Sequence, residues 1–279
     1  MSPATHSNFG TLLKRWRGQR GMSQMAMALR AEVSARHVCF LETGRAQPSR
    51  EMVMQIADAL GLSMRDCNDM MLAARFSPLF SETALEDRDL KPVRRALDRI
   101  LKSHEPYPAF VLDRLWNIVR SNRVHQWMLE DLLGNAVPVG PVNALRLVFD
   151  PQLLRTHIRD WDTVARVLWH KLQRQVSLAG PDDAIRDLFV ELNRLPGVRE
   201  TAGRRAPGPE EEVLVPLRLV LGDRTLSWFS TIATIGTPQD VTLEELRIET
   251  MFPADESTER FARDYAATRL KNRPHTSGS

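Results

Sequence analysis

The 279-residue sequence predicts two domains. A small all-α domain of five helices comes first, and a larger α+β domain on an antiparallel sheet of about five strands follows. Three observations carry this reading. Residues up to about 76 show apolar spacing of period 3.6, with cap residues at every break. Beyond a Pro- and Ser-containing stretch, SPLFSETALEDRDLK, the pattern changes to strand runs, then helices, then strand runs again. The charge divides the same way, with ten Lys/Arg against six Asp/Glu in residues 1–76 and 28 against 29 in the remainder. The boundaries read as 1–76, a linker at 77–91, and 92–279. The length suits two domains better than one.

In the first domain, Phe9, Leu12, Leu13 and Trp16 share one face of a helix from about Asn8 to Arg20, which Gly21 ends. Ser23 caps a second helix through Met25, Ala28 and Leu29, and the run breaks at Glu32-Val33. Ser34 caps a third helix from Ala35 to about Thr43, with Val38 and Leu41 buried and Gly44 as its stop. Two short helices crossing at a small residue, Ala28, form a helix-turn-helix candidate. Ser49 caps a fourth helix with Met52, Val53, Ile56 and Leu60 inward. After Gly61, Ser63 and Asp66 approximate a capping box for the fifth, whose apolar face is Cys67, Met70, Met71 and Ala74.

The polar residues separate a DNA reader from an ordinary helical hairpin. Ser34, Ala35, Arg36 and His37 crowd the first turn of the third helix, the part a recognition helix inserts into the major groove. Arg36 is the base reader, because a guanidinium binds guanine O6 and N7 bidentately. Ala35 suits a thymine methyl, and Gln24 a phosphate or an adenine. Arg45, Arg17 and Lys14 read as phosphate contacts, which position without specifying. A run of charge is often only a solvated face. Here eight Lys/Arg against two Asp/Glu in the first fifty residues coincide with the motif, where phosphate neutralisation needs them.

The second domain opens with a helix carrying Val93, Leu97, Ile100 and Leu101. Phe110–Leu112 and Trp116–Val119 read as strands around a turn at Asp113-Arg114, and Ser121 caps a helix with Val124, Trp127, Met128 and Leu132. A short helix from Asn143 to Phe149 comes next, then two longer ones marked by Trp161, Val164 and Leu168 and by Ile185, Leu188 and Leu192. The stretch 199–212 has loop composition. Val213–Leu221 and Thr225–Ile235 are strands around a Gly222-Asp223 turn, and Leu246–Phe252 is a further strand. A helix from Ser257 to about Lys271 and a frayed tail close the chain. Two strands, helices, then three strands suit a sheet covered on one face by helices, the order of a PAS-like sensor domain. Trp116, Trp127, Phe149, Trp161, Trp228 and Phe229 are candidates to line a cavity there, with Asn122, Arg155 and His157 orienting a ligand head group. Simple core packing explains each ring singly.

Chemistry is sparse. HExxH, GxSxG, P-loop and GxGxxG motifs are missing, and paired carboxylates such as Glu244-Glu245 and Asp182-Asp183 fall at turns or helix starts. Neither catalysis nor a metal or cofactor is expected. Cys39 and Cys67 lie in predicted helices without metal-type spacing, no apolar run approaches bilayer length, and MSPATHSNFG lacks signal-peptide character. The cytoplasm, in association with the nucleoid, is the expected location.

SQMAMAL and VSARHVCFLETGRAQPS resemble the XRE-type helix-turn-helix, and HVCFLETGRAQPSREMVMQIADALGLSMRDCNDMMLAA is similar to the DNA-binding domain of MmyB-like regulators. PYPAFVLDRLWNIVRSN, NALRLVFDP and STIATIGTPQDVTLEELRIETMFPAD resemble segments of the MmyB-like C-terminal domain. Glu32 stands where the family has a turn Gly, at a cost of about 1–2 kcal/mol if left-handed. Cys39 replaces a Ser, and Arg75 a Gly. The resemblance implies a bacterial, sequence-specific transcription regulator, active as a homodimer on double-stranded operator DNA. It also implies a PAS-like domain that binds a small apolar, fatty-acyl-like ligand. The alternatives are a second domain serving only protein interaction or dimerisation, and an enzyme with a self-regulating DNA-binding domain.

Overall fold

A computed structural model describes residues 9–179, 184–202 and 216–271. The expectations for Asp182-Asp183, for most of the 199–212 loop, for the start of the Val213 strand and for the tail fall outside these residues. The chain divides into two compact units: Met1–Ala84 with Gly236–Glu244, and Leu85–Ile235 with Glu245–Ser279.

Unit 1 holds five helices in its N-terminal part: α1 (Phe9–Gln19), α2 (Gln24–Arg30), α3 (Ala35–Glu42), α4 (Arg50–Leu60) and α5 (Met64–Ala73). Four begin at a serine whose hydroxyl accepts a main-chain N–H from the first turn: Ser23 from Ala26, Ser34 from His37, Ser49 from Met52 and Ser63 from Asp66. Leu13, Met27, Val38, Ile56, Met70 and Met71 are fully buried in one cluster. At about 1.5–3 kcal/mol for each large apolar side chain, that burial outweighs what the short helices lack alone. Glu32 (φ +53°) and Arg75 (φ +66°) are left-handed, a conformation that glycine adopts more readily than residues with a side chain. Gly10 lets α1 meet α3, since a Cβ there would stand 2.5 Å from the Leu41 carbonyl oxygen.

The stretch expected as linker is anchored at its start. Buried Asn68 donates to the Phe80 carbonyl and accepts from the Leu79 and Phe80 amides. Residues 236–244 complete the unit. The Val241 amide donates to Ser81 O at 2.9 Å, and Val241 itself is fully buried. Asp240 Oδ2 accepts from the Thr83 amide at 3.0 Å. Glu244 Oε2 accepts the Met64 amide at 2.8 Å, at the N-terminus of α5, where a carboxylate is favoured.

Unit 2 is built on a six-stranded antiparallel sheet in the order β3-β2-β1-β6-β5-β4. Its strands are β1 (Ala109–Leu112), β2 (Asn117–Ser121), β3 (Val142–Asn143), β4 (Leu217–Leu221), β5 (Arg224–Ala233) and β6 (Arg247–Pro253). The two-residue β3 is the strand sequence reasoning missed, being too short to show alternation. Around the sheet lie α6 (Lys91–Ser103), α7 (Arg123–Leu133), α8 (Ala144–Phe149), α9 (Trp161–Leu178), α10 (Ala184–Leu192) and α11 (Val198–Ala202). The short α12 (Val241–Glu245), between β5 and β6 in the chain, lies in unit 1 as far as Glu244, and α13 (Glu256–Lys271) follows in unit 2. The first residues of the expected 199–212 loop are thus helical.

Candidate functional site

Two regions hold the residues singled out above. In unit 1, α3 presents the N-terminal turn expected to meet bases. Ser34 caps it, Arg36 is exposed with its guanidinium 5.2 Å from the Phe40 ring, and Ala35 and His37 are half-buried. Arg45, just beyond the helix, and Lys14 on α1 are also exposed.

Arg17 and Gln24 are committed inside the unit instead. Arg17 Nε donates to Glu42 Oε1 at 2.6 Å and its Nη1 to Met22 O at 2.6 Å, while Gln24 Nε2 donates to Glu42 Oε2 at 2.7 Å. The Glu42 side chain is 3% exposed. Burial alone would raise its carboxyl pKa, but the bonds from Arg17 and Gln24 outweigh it and hold the value below the ordinary range. The end of α3 is therefore tied to α1 and to the first residue of α2, which fixes its position against both helices. Sequence spacing offered no sign of this, because the partners lie 18 and 25 positions from Glu42.

Unit 2 holds a cavity of about 270 Å³ that is partly open to solvent. Leu219 on β4, Ser230 and Ile232 on β5, Glu249 and Met251 on β6, and Phe110 on β1 line it. Register explains the set: Ser230 opposes Met251, Ile232 opposes Glu249, and Glu249 opposes Phe110, so all project from one face. Met128 and Leu132 of α7, Leu145 and Leu147 of α8, and Val164 and Leu168 of α9 close the other side. Trp116, in the β1–β2 turn, adopts φ +66° to enter the wall. Such a backbone costs about 1–3 kcal/mol and persists only where neighbours enforce it. Its indole N–H donates to Gln175 Oε1, whose amide donates to Arg114 O, and Asp113 accepts from the Leu115 and Asn117 amides.

Of the residues expected to form a ligand site, Trp116 and Phe229 border this cavity. The structure places the others elsewhere. Asn122, not Ser121, caps α7, and its side chain also bonds Ala109 N, Leu101 O and Tyr107 O. Trp127 and Trp228 fill the core beside the cavity, whereas Phe149 belongs to a second cluster with Trp169. Trp161 donates to Val148 O and carries the Arg155 guanidinium 3.6 Å from its ring centre; Arg155 also bonds Pro196 O. His157 Nδ1 lies 3.3 Å from Val220 O. Periodicity shows which rings are buried, not which buried surface stays unfilled, and these rings divide between two clusters.

The polar groups that do face the cavity went unnoticed in the sequence. His125 on α7 is buried, packs 4.7 Å from the Phe110 ring, and has no hydrogen-bond partner at Nδ1. Burial lowers its pKa to about 4, so the ring is neutral near pH 7. Burial raises the Glu249 carboxyl above its ordinary value, with a hydrogen bond from Ser230 and the charge of Lys171 pulling the other way. A glutamate within LRIETMF was the available signal. Among the described residues, no His/Cys/Asp/Glu group could hold a metal ion, and no helix is long and apolar enough to cross a membrane.

A helix-turn-helix with a basic, exposed recognition turn, joined to an α+β unit around an apolar cavity, defines a ligand-sensing transcription regulator. Residues 8–66 match a helix-turn-helix domain family. Residues 93–264 match the MmyB-like transcription regulator ligand binding domain, and since this covers more than half of the chain, the protein belongs to that family. No protein with a curated description matches. Among solved structures, an RNA-binding light-oxygen-voltage receptor shows 13% identity and a TM-score of 0.24, over 95% of this chain and 63% of that one. A score so low carries no weight for fold or function.

Proposed function

We propose that the protein is a sequence-specific DNA-binding regulator, acting as a homodimer in the cytoplasm, whose grip on its operator responds to a small fatty-acyl-like molecule in the cavity of unit 2. One observation carries the ligand-responsive part. The cavity is lined by β5 and β6, and the segment joining those two strands is the one that completes unit 1 around Val241 and caps α5 through Glu244. Filling the cavity shifts β5 and β6, and the segment passes that shift to the helix-turn-helix. The cavity's size, near the lower end for ligand pockets, suits one chain better than a bulky ring system. Arg36 is assigned the base contact, with Ala35 and His37 beside it and Lys14 and Arg45 on phosphates.

Native mass spectrometry of the purified protein, paired with selection of bound DNA fragments in the presence and absence of lipid extract, tests this reading. A retained adduct of lipid mass and a lipid-dependent change in DNA recovery are expected. An adduct-free protein with lipid-independent DNA binding would leave unit 2 as an interaction module, and turnover of an adduct would make it an enzyme. Arg36→Ala should weaken operator binding by about 1–3 kcal/mol while sparing non-specific binding. Equal loss on operator and random DNA would remove its base-reading role.

A further inference from the structure

Helix α6 sorts its charges by face. On one side Arg94 reaches back to the Leu85 and Asp87 carbonyls, and Asp98 accepts from Arg120 of β2 at 3.2 Å. Glu86 is also taken, by Arg120 at 3.0 Å. The other cations of the helix, Lys91, Arg95, Arg99 and Lys102, are exposed and make no ion pair among the described residues. Their spacing sets them within about a quarter of the helix circumference, in a line about 16 Å long. Arg88 joins them in the shallow groove that Lys91, Pro92, Arg95, Ala96 and Arg99 line, where Asp89 is the one acid. The chain beyond residue 76 is balanced, with 28 Lys/Arg against 29 Asp/Glu, so the stripe is a local concentration and not the composition of the domain.

We propose that this stripe lies along the phosphate backbone of the DNA that the helix-turn-helix reads, so that the ligand-binding unit grips the duplex itself. The proposal rests on the DNA-binding reading above and extends it to unit 2. B-DNA carries one phosphate per 3.4 Å of axis on each strand, so a line about 16 Å long passes about five of them. Pro92 and Ala96, beside the cations, are short and let a broad backbone approach the helix. The first turn of α6 carries no acid, and the helix dipole adds positive potential at that end. A bilayer is a poorer match. The apolar face of α6, through Leu97 and Leu101, is buried in unit 2, and Ile100 is its one large apolar side chain exposed, so the helix has no face to insert. Phosphate contacts position a protein without reading sequence, so the stripe adds affinity and salt dependence on every duplex alike.

Fluorescence anisotropy of the full-length protein on a random-sequence duplex and on an operator fragment recovered by selection, between about 50 and 200 mM salt, tests this. The variant is Lys91→Gln/Arg95→Gln/Arg99→Gln. Its control, Arg186→Gln/Arg194→Gln/Arg199→Gln, removes the same charge from exposed positions elsewhere in unit 2. Loss of three phosphate contacts should lower the slope of log K against log salt by about 2–3. It should also weaken both duplexes at least about tenfold at about 100 mM salt, leaving their ratio unchanged. The control should keep the wild-type slope within about 0.5, and Arg95→Lys/Arg99→Lys, which preserves charge, should keep it too. Thermal transitions check that each variant folds. An unchanged slope in the α6 variant, or an equal fall in the control, overturns the proposal and leaves the helix-turn-helix reading standing. So does a variant that loses binding to phosphatidylserine vesicles, or self-association, while keeping its full grip on DNA. Wild type that binds neither duplex overturns both.

Discussion

Replacing Gly10 with alanine should destabilise the DNA-binding unit, although alanine is the better helix former by about 1 kcal/mol. The added Cβ would lie 2.5 Å from the Leu41 carbonyl oxygen and 2.6 Å from that of Glu42, whereas a comfortable carbon–oxygen contact begins near about 3.3 Å. Helices α1 and α3 would have to separate by roughly 0.8 Å at their crossing. Neither side yields readily: the Leu41 carbonyl accepts the Gly44 amide, and the Glu42 side chain is held by Arg17 and Gln24. Overpacking of this kind costs about 1–3 kcal/mol, and backbone atoms that cannot rotate away favour the upper part of that range. The net loss is therefore about 1–2 kcal/mol after the gain in propensity. Gly18 on the same helix is the control, since a Cβ there meets nothing within 4 Å. Gly18→Ala should stabilise by about 0.5–1 kcal/mol. Urea unfolding of the full-length variants, with amide exchange in α1 and α3 locating the change, measures both. If Gly10→Ala stabilises as Gly18→Ala does, the close crossing is not the constraint described.

Asn122→Ala should cost unit 2 about 2–4 kcal/mol, because it removes the α7 cap, the side-chain acceptor of Ala109 N, and the side-chain donor to Leu101 O and Tyr107 O. Asn122→Asp, which keeps the cap but loses the donors, should fall between wild type and alanine in thermal unfolding. His125 gives a pH signature. Its folded value of about 4 lies below the ordinary 6.5, so the unfolded chain takes up the proton first. Stability is then full above 6.5 and falls progressively as pH drops towards 4, by about 3 kcal/mol in all. His125→Gln should flatten that part of the stability–pH profile, and identical slopes in the two proteins would show the imidazole to be solvated in the fold.

Local signals carried the first unit well. Serine caps, glycine stops and the apolar spacing of Phe9 to Trp16 are decided within one or two helical turns, which is why α1 to α5 could be placed from residue order. The left-handed backbone at Glu32 was expected from the turn glycine of the family the stretch resembles, whereas that at Arg75 was not read from the sequence. The polar interior was hidden for the opposite reason. Arg17 looked like a phosphate ligand because it is basic and near the motif, and only the fold brings it to Glu42. In the second unit the strand runs were visible, but cavity-lining residues depend on register. Asn122 belongs to the packing between α6, β1 and α7, and Glu249 faces the cavity only because β6 pairs with β1 and β5 in a particular phase. Aromatic residues were a poor guide, because large rings fill space as readily as they surround it.

The segment 236–244 has a consequence for the order in which the protein becomes competent. Domains emerging from the ribosome generally fold from the N-terminus onward, and α1 to α5 are made first. Yet the carboxylate that caps α5 is 180 positions later than its partner amide, and the acceptor for Thr83 N–H is 157 positions later. While the chain is being made, those two amides lack these partners until β5 is complete and the chain has run on through Glu244. The last contacts of unit 1 therefore form late in synthesis, when most of unit 2 already exists.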